Sequence, residues 1–310
     1  MKTVSREIAE CEAAVTRDAG LSREAMEAAP WLRVLGNHGT GVDPVDVEFA
    51  TEAGIAVVNT PGANAIAVAE HTVTLIMAAL RRIPDAHSAT QQGDFDFKYR
   101  TKLHELSGKS VGIVGYGHIG RAVARMLSQG FNADIQVLSE SASADALAAE
   151  GYRKASSLQE LIESSDIVSL HKPLTAATRG MIGREAMQWF KPDAVLVNTA
   201  RGPLVDEDAL VEALSAGRLG AAGLDVYHSE EIDPSHPLLN APNLVLTPHT
   251  GGSTREALDR TATAVCGQVI DVLHDRRPDH LVNPAVWAHL RRPRGTSDGN
   301  RQENGQGEKR

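Results

Sequence analysis

Three polar side chains in the second half of the chain are of complementary types. Arg201 follows the apolar run VLVNT, Glu230 lies in the loop after GLDVY, and His249 follows LVLTP. A guanidinium presents a planar fork of donors that can grip a carboxylate and a neighbouring carbonyl oxygen together. An imidazole, whose ordinary pKa lies near neutrality, can give a proton to a carbonyl oxygen and take it back. A carboxylate beside the imidazole can hold one tautomer and favour the protonated form. Each has a plainer reading alone: a solvated arginine, a histidine capping the next helix, a surface acid. Together, at the ends of three strands, they suit proton transfer at a carbonyl next to a held carboxylate.

Such residues need a frame, and Ser110 to Gly130, SVGIVGYGHIGRAVARMLSQG, shows which one. An apolar run leads into Gly115, Gly117 and Gly120 at G-x-G-x-x-G spacing, and an amphipathic segment with Val123, Met126 and Leu127 follows at once. That reads as strand, tight turn and helix. Gly115 permits the turn, Gly117 lets a pyrophosphate approach the backbone, and Gly120 lets the helix pack on its strand. The helix N-terminus, with unpaired N–H groups, then faces the phosphates. The strand after it ends at Ser139-Glu140-Ser141, where a dinucleotide fold places the group that meets the adenosine ribose.

The remaining segments alternate. Ser22 caps a short helix that Pro30 ends, and Trp31 to Leu35 reads as a strand. The chain turns at Gly36 into NHGTGVD, a loop around Thr40 and Gly41 that is either a plain turn or a backbone cradle for a carboxylate. Asp43-Pro44 starts a helix that stops at Gly54, and Ile55 to Asn59 is a strand. Apolar spacing marks a long, mostly buried helix from Ala65 to Arg82, and Pro84 to Leu106 is a linker of unassigned structure. Downstream come a capping box at Ser157 and Glu160, a strand to His171, a short helix REAMQWF, a strand Ala194–Thr199, a helix capped by Asp206, strands Ala221–Val226 and Leu244–Thr247, and a long helix Thr254–Leu273. Alternation of this kind calls for an α/β fold, a doubly wound parallel (Rossmann) sheet covered on both faces. The expected division is a dinucleotide-binding domain over 64–266, a smaller α/β substrate domain over 1–63 and 267–292, and a disordered tail over 293–310.

At 310 residues, 42% of them hydrophobic, the chain can fill two cores. A net charge of −9 argues against nucleic acid as partner. The longest strongly apolar stretch, Val73 to Leu80, is far short of the roughly 20 residues of a membrane span. Cys11 and Cys266 offer no metal or disulfide spacing, so no metal and a cytoplasmic location are expected.

The stretches GNHGTGVDPVDVEFATEAGIAVVNTPGANAIAVAEH, VGIVGYGHIGRAVARML, SLHKPLTAATRGMIG, VLVNTARGPLVDEDALVEALSAGRLGAAGLDVYHSEE and VLTPHTGGSTREA closely resemble the D-isomer-specific 2-hydroxyacid dehydrogenases, most nearly their phosphoglycerate dehydrogenase branch. The resemblance implies substrate binding by Arg201 with the loop at Thr40 and Gly41, an imidazole acid/base at His249, and its partner at Glu230. It also implies NAD contacts at Thr40, His118, Ile119, Thr178, Thr199, Ala200, Arg201, Asp225, His249 and Gly252, beside the three glycines, Ser139 and Glu140. The expected activity is NAD-dependent interconversion of a small D-2-hydroxy acid and its 2-keto acid by a homodimer. The alternative is an NAD(H)-binding regulatory module without turnover.

Four departures from the family pattern stand out. Family members usually begin with a further strand and helix before the segment CEAAVTRD, so a shortened substrate domain is expected. Ser139 stands where an acid is usual, with Glu140 beside it; a carboxylate there repels a 2′-phosphate and no arginine follows, so NAD is expected over NADP. Glu231 replaces the proline that usually follows the catalytic glutamate. Lys172, in His171-Lys172-Pro173, replaces an apolar residue, and the sequence gives no reason for it.

Overall fold

The computed structural model describes residues 2–17, 19–229 and 231–294. The chain divides into two compact units, Asn64–Leu258 and Met1–Ala63 with Asp259–Arg310. The boundary falls after Leu258 rather than after residue 266, inside the terminal helix.

In the smaller unit α1 (Lys2–Ile8), β1 (Ala13–Thr16), α2 (Arg23–Glu27), β2 (Val34–Asn37), α3 (Val47–Glu52) and β3 (Ala56–Val58) build a parallel sheet in the order β1-β2-β3. Ser22 caps α2 as expected, its Oγ accepting from the Ala25 N–H. Asp46, not Asp43, caps α3, accepting from Phe49 N at 2.9 Å. Val45 is buried and bridged to Leu21, so the helix cannot begin before it. Gly36 is not a turn but the middle of β2. A Cβ there would stand 2.7 and 2.9 Å from methyls of Val265 and Val269, so the glycine lets the terminal helix lie close on the sheet.

The larger unit comprises α4 (Ala65–Leu80), α5 (Ile83–Gln91), α6 (Phe97–Arg100), β4 (Ser110–Val114), α7 (His118–Phe131), β5 (Asp134–Leu138), α8 (Ala144–Ala149), β6 (Arg153–Lys154), α9 (Leu158–Ser164), β7 (Ile167–Leu170), β8 (Val195–Asn198), α10 (Glu207–Ser215), β9 (Ala221–Leu224) and β10 (Leu244–Leu246), with α11 (Arg255–Leu273) running past its end. All seven strands are parallel in the order β10-β9-β8-β7-β4-β5-β6. Side chains alternate across this sheet: Val195 and Val197 face one core with Leu75 and Ile76 of α4 and Val123 and Leu127 of α7, whereas Leu196 faces the other with Leu161 of α9 and Leu210 of α10. The sheet is therefore doubly wound. The chain reverses its direction of winding at β4, which has β5 on one side and β7 on the other.

The stretch left unassigned in the sequence contains α5 and α6, while REAMQWF forms only a 3-10 turn, Ala186–Gln188. Ser157 Oγ accepts from Glu160 N, but Glu160 reaches back to Ser156 N at 2.8 Å, one residue before the position a capping box uses. Of the expected tail, residues 295–310 lie outside the described residues, whereas Arg294 N donates to Glu12 at 2.7 Å.

Candidate active site

The site begins at the glycine turn. Gly115 has φ +100°, and a Cβ on it would lie 2.7 Å from the His171 carbonyl oxygen. A Cβ on Gly120 would lie 2.2 Å from the Gly115 carbonyl oxygen. Gly117 differs from both, with nothing within 4 Å of a Cβ. Two glycines thus close the turn against its neighbours, and the third leaves open space at the start of α7, where Gly117 caps the helix without a side-chain hydrogen bond and His118 and Ile119 follow. Free N–H groups facing open space at a helix N-terminus fit the pyrophosphate of a dinucleotide.

Arg201 leaves β8 in extended conformation (φ −149°, ψ 134°) and enters a 3-10 turn, Gly202–Leu204. Asn198, buried at the end of β8, ties this corner: its Nδ2 donates to the Arg201 carbonyl at 2.8 Å and its Oδ1 accepts from Ala200 N at 3.0 Å. Gly202 is indispensable to the corner, since a Cβ there would lie 1.9 Å from the Tyr227 carbonyl. The Arg201 guanidinium donates through Nη1 to the Ala200 carbonyl at 2.7 Å and is partly exposed.

Asp225, 2% exposed just past β9, organises the next strand end. Its carbonyl accepts from His249 N at 2.9 Å, its Oδ1 from Thr250 N at 2.9 Å, and its Oδ2 from Gly251 N at 2.8 Å. Three successive N–H groups past β10 are bound by one residue, and His249 is held in the left-handed region at φ +53° with its side chain exposed. Thr247 Oγ1 also donates to Asp225 Oδ1, at 2.6 Å, so its oxygen is left to accept from His71 Nε2 at 2.9 Å. That places a proton on His71 Nε2, which is also 3.2 Å from Asp225 Oδ1. Burial opposes ionisation of Asp225, but the His71, Thr247, Thr250 and Gly251 donors outweigh it and hold its carboxyl below the usual carboxylate range.

The other expected residues fall in several places. Thr199 Oγ1 lies 2.8 Å from Thr72 Oγ1, so β8 is tied to α4. Thr178 Oγ1 donates to the Pro173 carbonyl at 2.7 Å, closing the loop after β7. A Cβ on Gly252 would meet Asn64 Nδ2 at 2.9 Å. Ser139 is buried and accepts from Ala142 N, and Glu140 is exposed and paired with Lys172. Thr40 and Gly41 belong to the smaller unit, where their carbonyls accept from Asn59 and Asn37. Glu230 lies outside the described residues. The sequence reading gave no role to His71 or Thr247, because no local spacing links positions so far apart. Among the described residues no cluster of His, Cys, Asp or Glu could hold a metal ion, and no helix is long and apolar enough to cross a membrane.

The doubly wound sheet thus carries an open glycine turn at its switch point, with Arg201 past β8 and His249 past β10, the strands on either side of β9. Residues 73–251 match the model of the D-isomer specific 2-hydroxyacid dehydrogenase NAD binding domain, and the chain belongs to that family, with NAD as its cofactor. It is 41% identical to D-3-phosphoglycerate dehydrogenase of Methanocaldococcus jannaschii over 85% of this chain and 50% of that one. To glyoxylate reductase of Thermofilum pendens it is 40% identical, over 86% of this chain and 79% of the other. The crystal structure of NAD-dependent formate dehydrogenase from Staphylococcus aureus in complex with NAD superposes with a TM-score of 0.81 at 30% identity, covering 90% of this chain and 84% of that one. The chain spans about half the length of the phosphoglycerate dehydrogenases it matches.

Proposed function

We propose that the protein reduces a small 2-keto acid, or oxidises the matching D-2-hydroxy acid, with NAD(H). The observation that carries this reading is the delivery of Arg201, Asp225 and His249 past three adjacent parallel strands, β8, β9 and β10, of the sheet that bears the glycine turn. The residues present fit the dinucleotide: open space before Gly117 for the pyrophosphate, and the exposed Glu140 carboxylate as acceptor for ribose hydroxyls. When bound, NADH supplies the hydride. Arg201 grips the substrate carboxylate and its carbonyl oxygen. His249 Nε2 or Nδ1 gives that oxygen a proton on reduction and removes it on oxidation, with Glu230 as its carboxylate partner. Asp225 acts one step back, holding the His249 loop in register.

Glyoxylate, hydroxypyruvate and phosphohydroxypyruvate are the substrates to test first, since relatives are named for glyoxylate and phosphoglycerate. Saturable NADH oxidation with any of them supports the reading; none with a broad 2-keto acid panel defeats it. The names of the relatives speak against a regulatory module without turnover. We assign the protein to the cytoplasm on its unpaired cysteines. A homodimer is supported by apolar side chains left exposed beyond α4, among them Ile83, Phe95 (68% exposed) and Tyr99 (79%). A monomeric mass by light scattering counts against it.

A further inference from the structure

Lys172, which the sequence left without a reason, meets Glu140 across the mouth of the glycine turn. Glu140 lies just past β5 and Lys172 just past β7, the two strands that flank β4. Lys172 Nζ donates to Glu140 Oε1 at 2.6 Å. The partners are unequally placed: the lysine side chain is 14% exposed and the glutamate side chain 91%. The lysine backbone leans on the turn itself, its N standing 3.0 Å from where a Gly115 Cβ would be. The ammonium is thus part of the wall, and the carboxylate is an arm reaching to it from solvent. An exposed ion pair adds little to stability. Its position is what requires a function.

That position is the adenosine ribose end of a dinucleotide site. A carboxylate at the end of the second strand accepts from both ribose hydroxyls and repels a 2′-phosphate. Here that strand end carries Ser139, whose Oγ lies 3.4 Å from Ser141 Oγ, and the neighbouring carboxylate has a lysine against it. Hydroxyls and a held cation are the groups that a phosphate monoester binds. We propose that Lys172 is a specificity-determining residue that opens the adenosine pocket to a 2′-phosphate, so that the site takes NADP(H) as well as NAD(H). This rests on the dinucleotide reading above and extends it: NAD(H) stays a cofactor, and a 2′-phosphate is admitted beside it. With NAD(H), Glu140 keeps Lys172 and accepts from the ribose hydroxyls. With NADP(H), the exposed Glu140 arm turns to solvent, and Lys172 with the Ser139 and Ser141 hydroxyls meets the phosphate. Neither arrangement leaves the ammonium without an anion.

The test is binding to the full chain without substrate, read by protein-to-NADH fluorescence transfer for NADH and NADPH and by calorimetry for AMP and 2′-phospho-AMP. The wild-type chain is expected to bind NADPH within about tenfold of NADH and 2′-phospho-AMP at least as tightly as AMP. Lys172→Met should weaken NADPH and 2′-phospho-AMP by roughly 10- to 100-fold while NADH changes by less than about threefold. Lys172→Arg should keep both dinucleotides. Glu140→Gln, on a solvent-exposed side chain whose loss leaves folding intact, should tighten NADPH and loosen NADH. A wild-type preference for NADH above about a thousandfold, equal weakening of both dinucleotides by Lys172→Met, or no shift in preference in Glu140→Gln overturns the proposal. Failure to bind either dinucleotide removes the underlying site reading along with it, which separates that failure from loss of selectivity alone.

Discussion

Replacing Asp225 by asparagine tests the clamp on the histidine loop with almost no change of shape. The wild-type carboxylate accepts from Thr247 Oγ1 and Thr250 N on one oxygen and from Gly251 N on the other, at 2.6, 2.9 and 2.8 Å. An amide must point its NH2 at one of these sets, setting donor against donor in a site 2% exposed. The less costly orientation keeps the Thr247 and Thr250 bonds and sacrifices the one to Gly251. Losing one charge-assisted hydrogen bond at a buried site costs about 2–3 kcal/mol. For a folding unit of this size, that lowers Tm by roughly 4–12 °C. Because the same residue holds His249 N through its carbonyl, the strain at φ +53° is released along with the loop, and kcat falls while NADH affinity changes much less. Circular dichroism melting, NADH oxidation and NADH titration read the three quantities. The wild-type carboxyl lies below its usual value, so its stabilising contribution is complete at neutral pH and fades as pH falls below about 4; Asp225→Asn should lose that part of the acid sensitivity. A variant with unchanged Tm and unchanged kcat would refute the clamp.

Other substitutions separate chemistry from architecture. His249→Gln should lower kcat by about 10²- to 10⁴-fold with NADH binding retained, and full turnover in that variant would remove the assigned proton transfer. Gly117→Ala meets nothing within 4 Å, so it should leave the melting temperature near wild type yet weaken NADH at least about tenfold; unchanged affinity would mean the open space does not receive the pyrophosphate. Gly120→Ala instead drives a methyl to 2.2 Å from the Gly115 carbonyl oxygen and should cost about 1–3 kcal/mol in urea unfolding. Burial pushes the His171 imidazole down to about 3, with Ser169 Oγ at 2.9 Å from its Nε2. Its folded pKa lies below the unfolded value near 6.5, so its contribution is complete above that pH and is lost as pH falls towards 3. His171→Asn should flatten stability against pH across that window, and an identical slope in both proteins would contradict the assignment.

The sequence by itself settled what is local or periodic. The duties expected of Gly115, Gly117 and Gly120 come from their spacing after an apolar run; Gly115 lies at φ +100°, a Cβ on Gly120 would strike the Gly115 carbonyl oxygen, and a Cβ on Gly117 would meet nothing within 4 Å. Ser22 and Asp206 cap their helices because a cap needs only an oxygen and an N–H three residues on. The alternation of strands and helices already required a parallel sheet covered on both faces, and its central strands β7, β8 and β9 are buried at every position.

The tertiary structure decided whatever depends on residues far apart in the chain. Asp46 begins α3 in place of Asp43 because burial of Val45 beside Leu21 overrides the local cap signal. Gly36 is a strand residue because a helix formed more than two hundred positions later lies against it. His71 and Thr247 gain their roles by meeting Asp225, and Lys172 gains its own by meeting Glu140 across β4. Hydrogen bonds and charges act over a few ångströms of space. Only the fold sets which distant residues come within that reach.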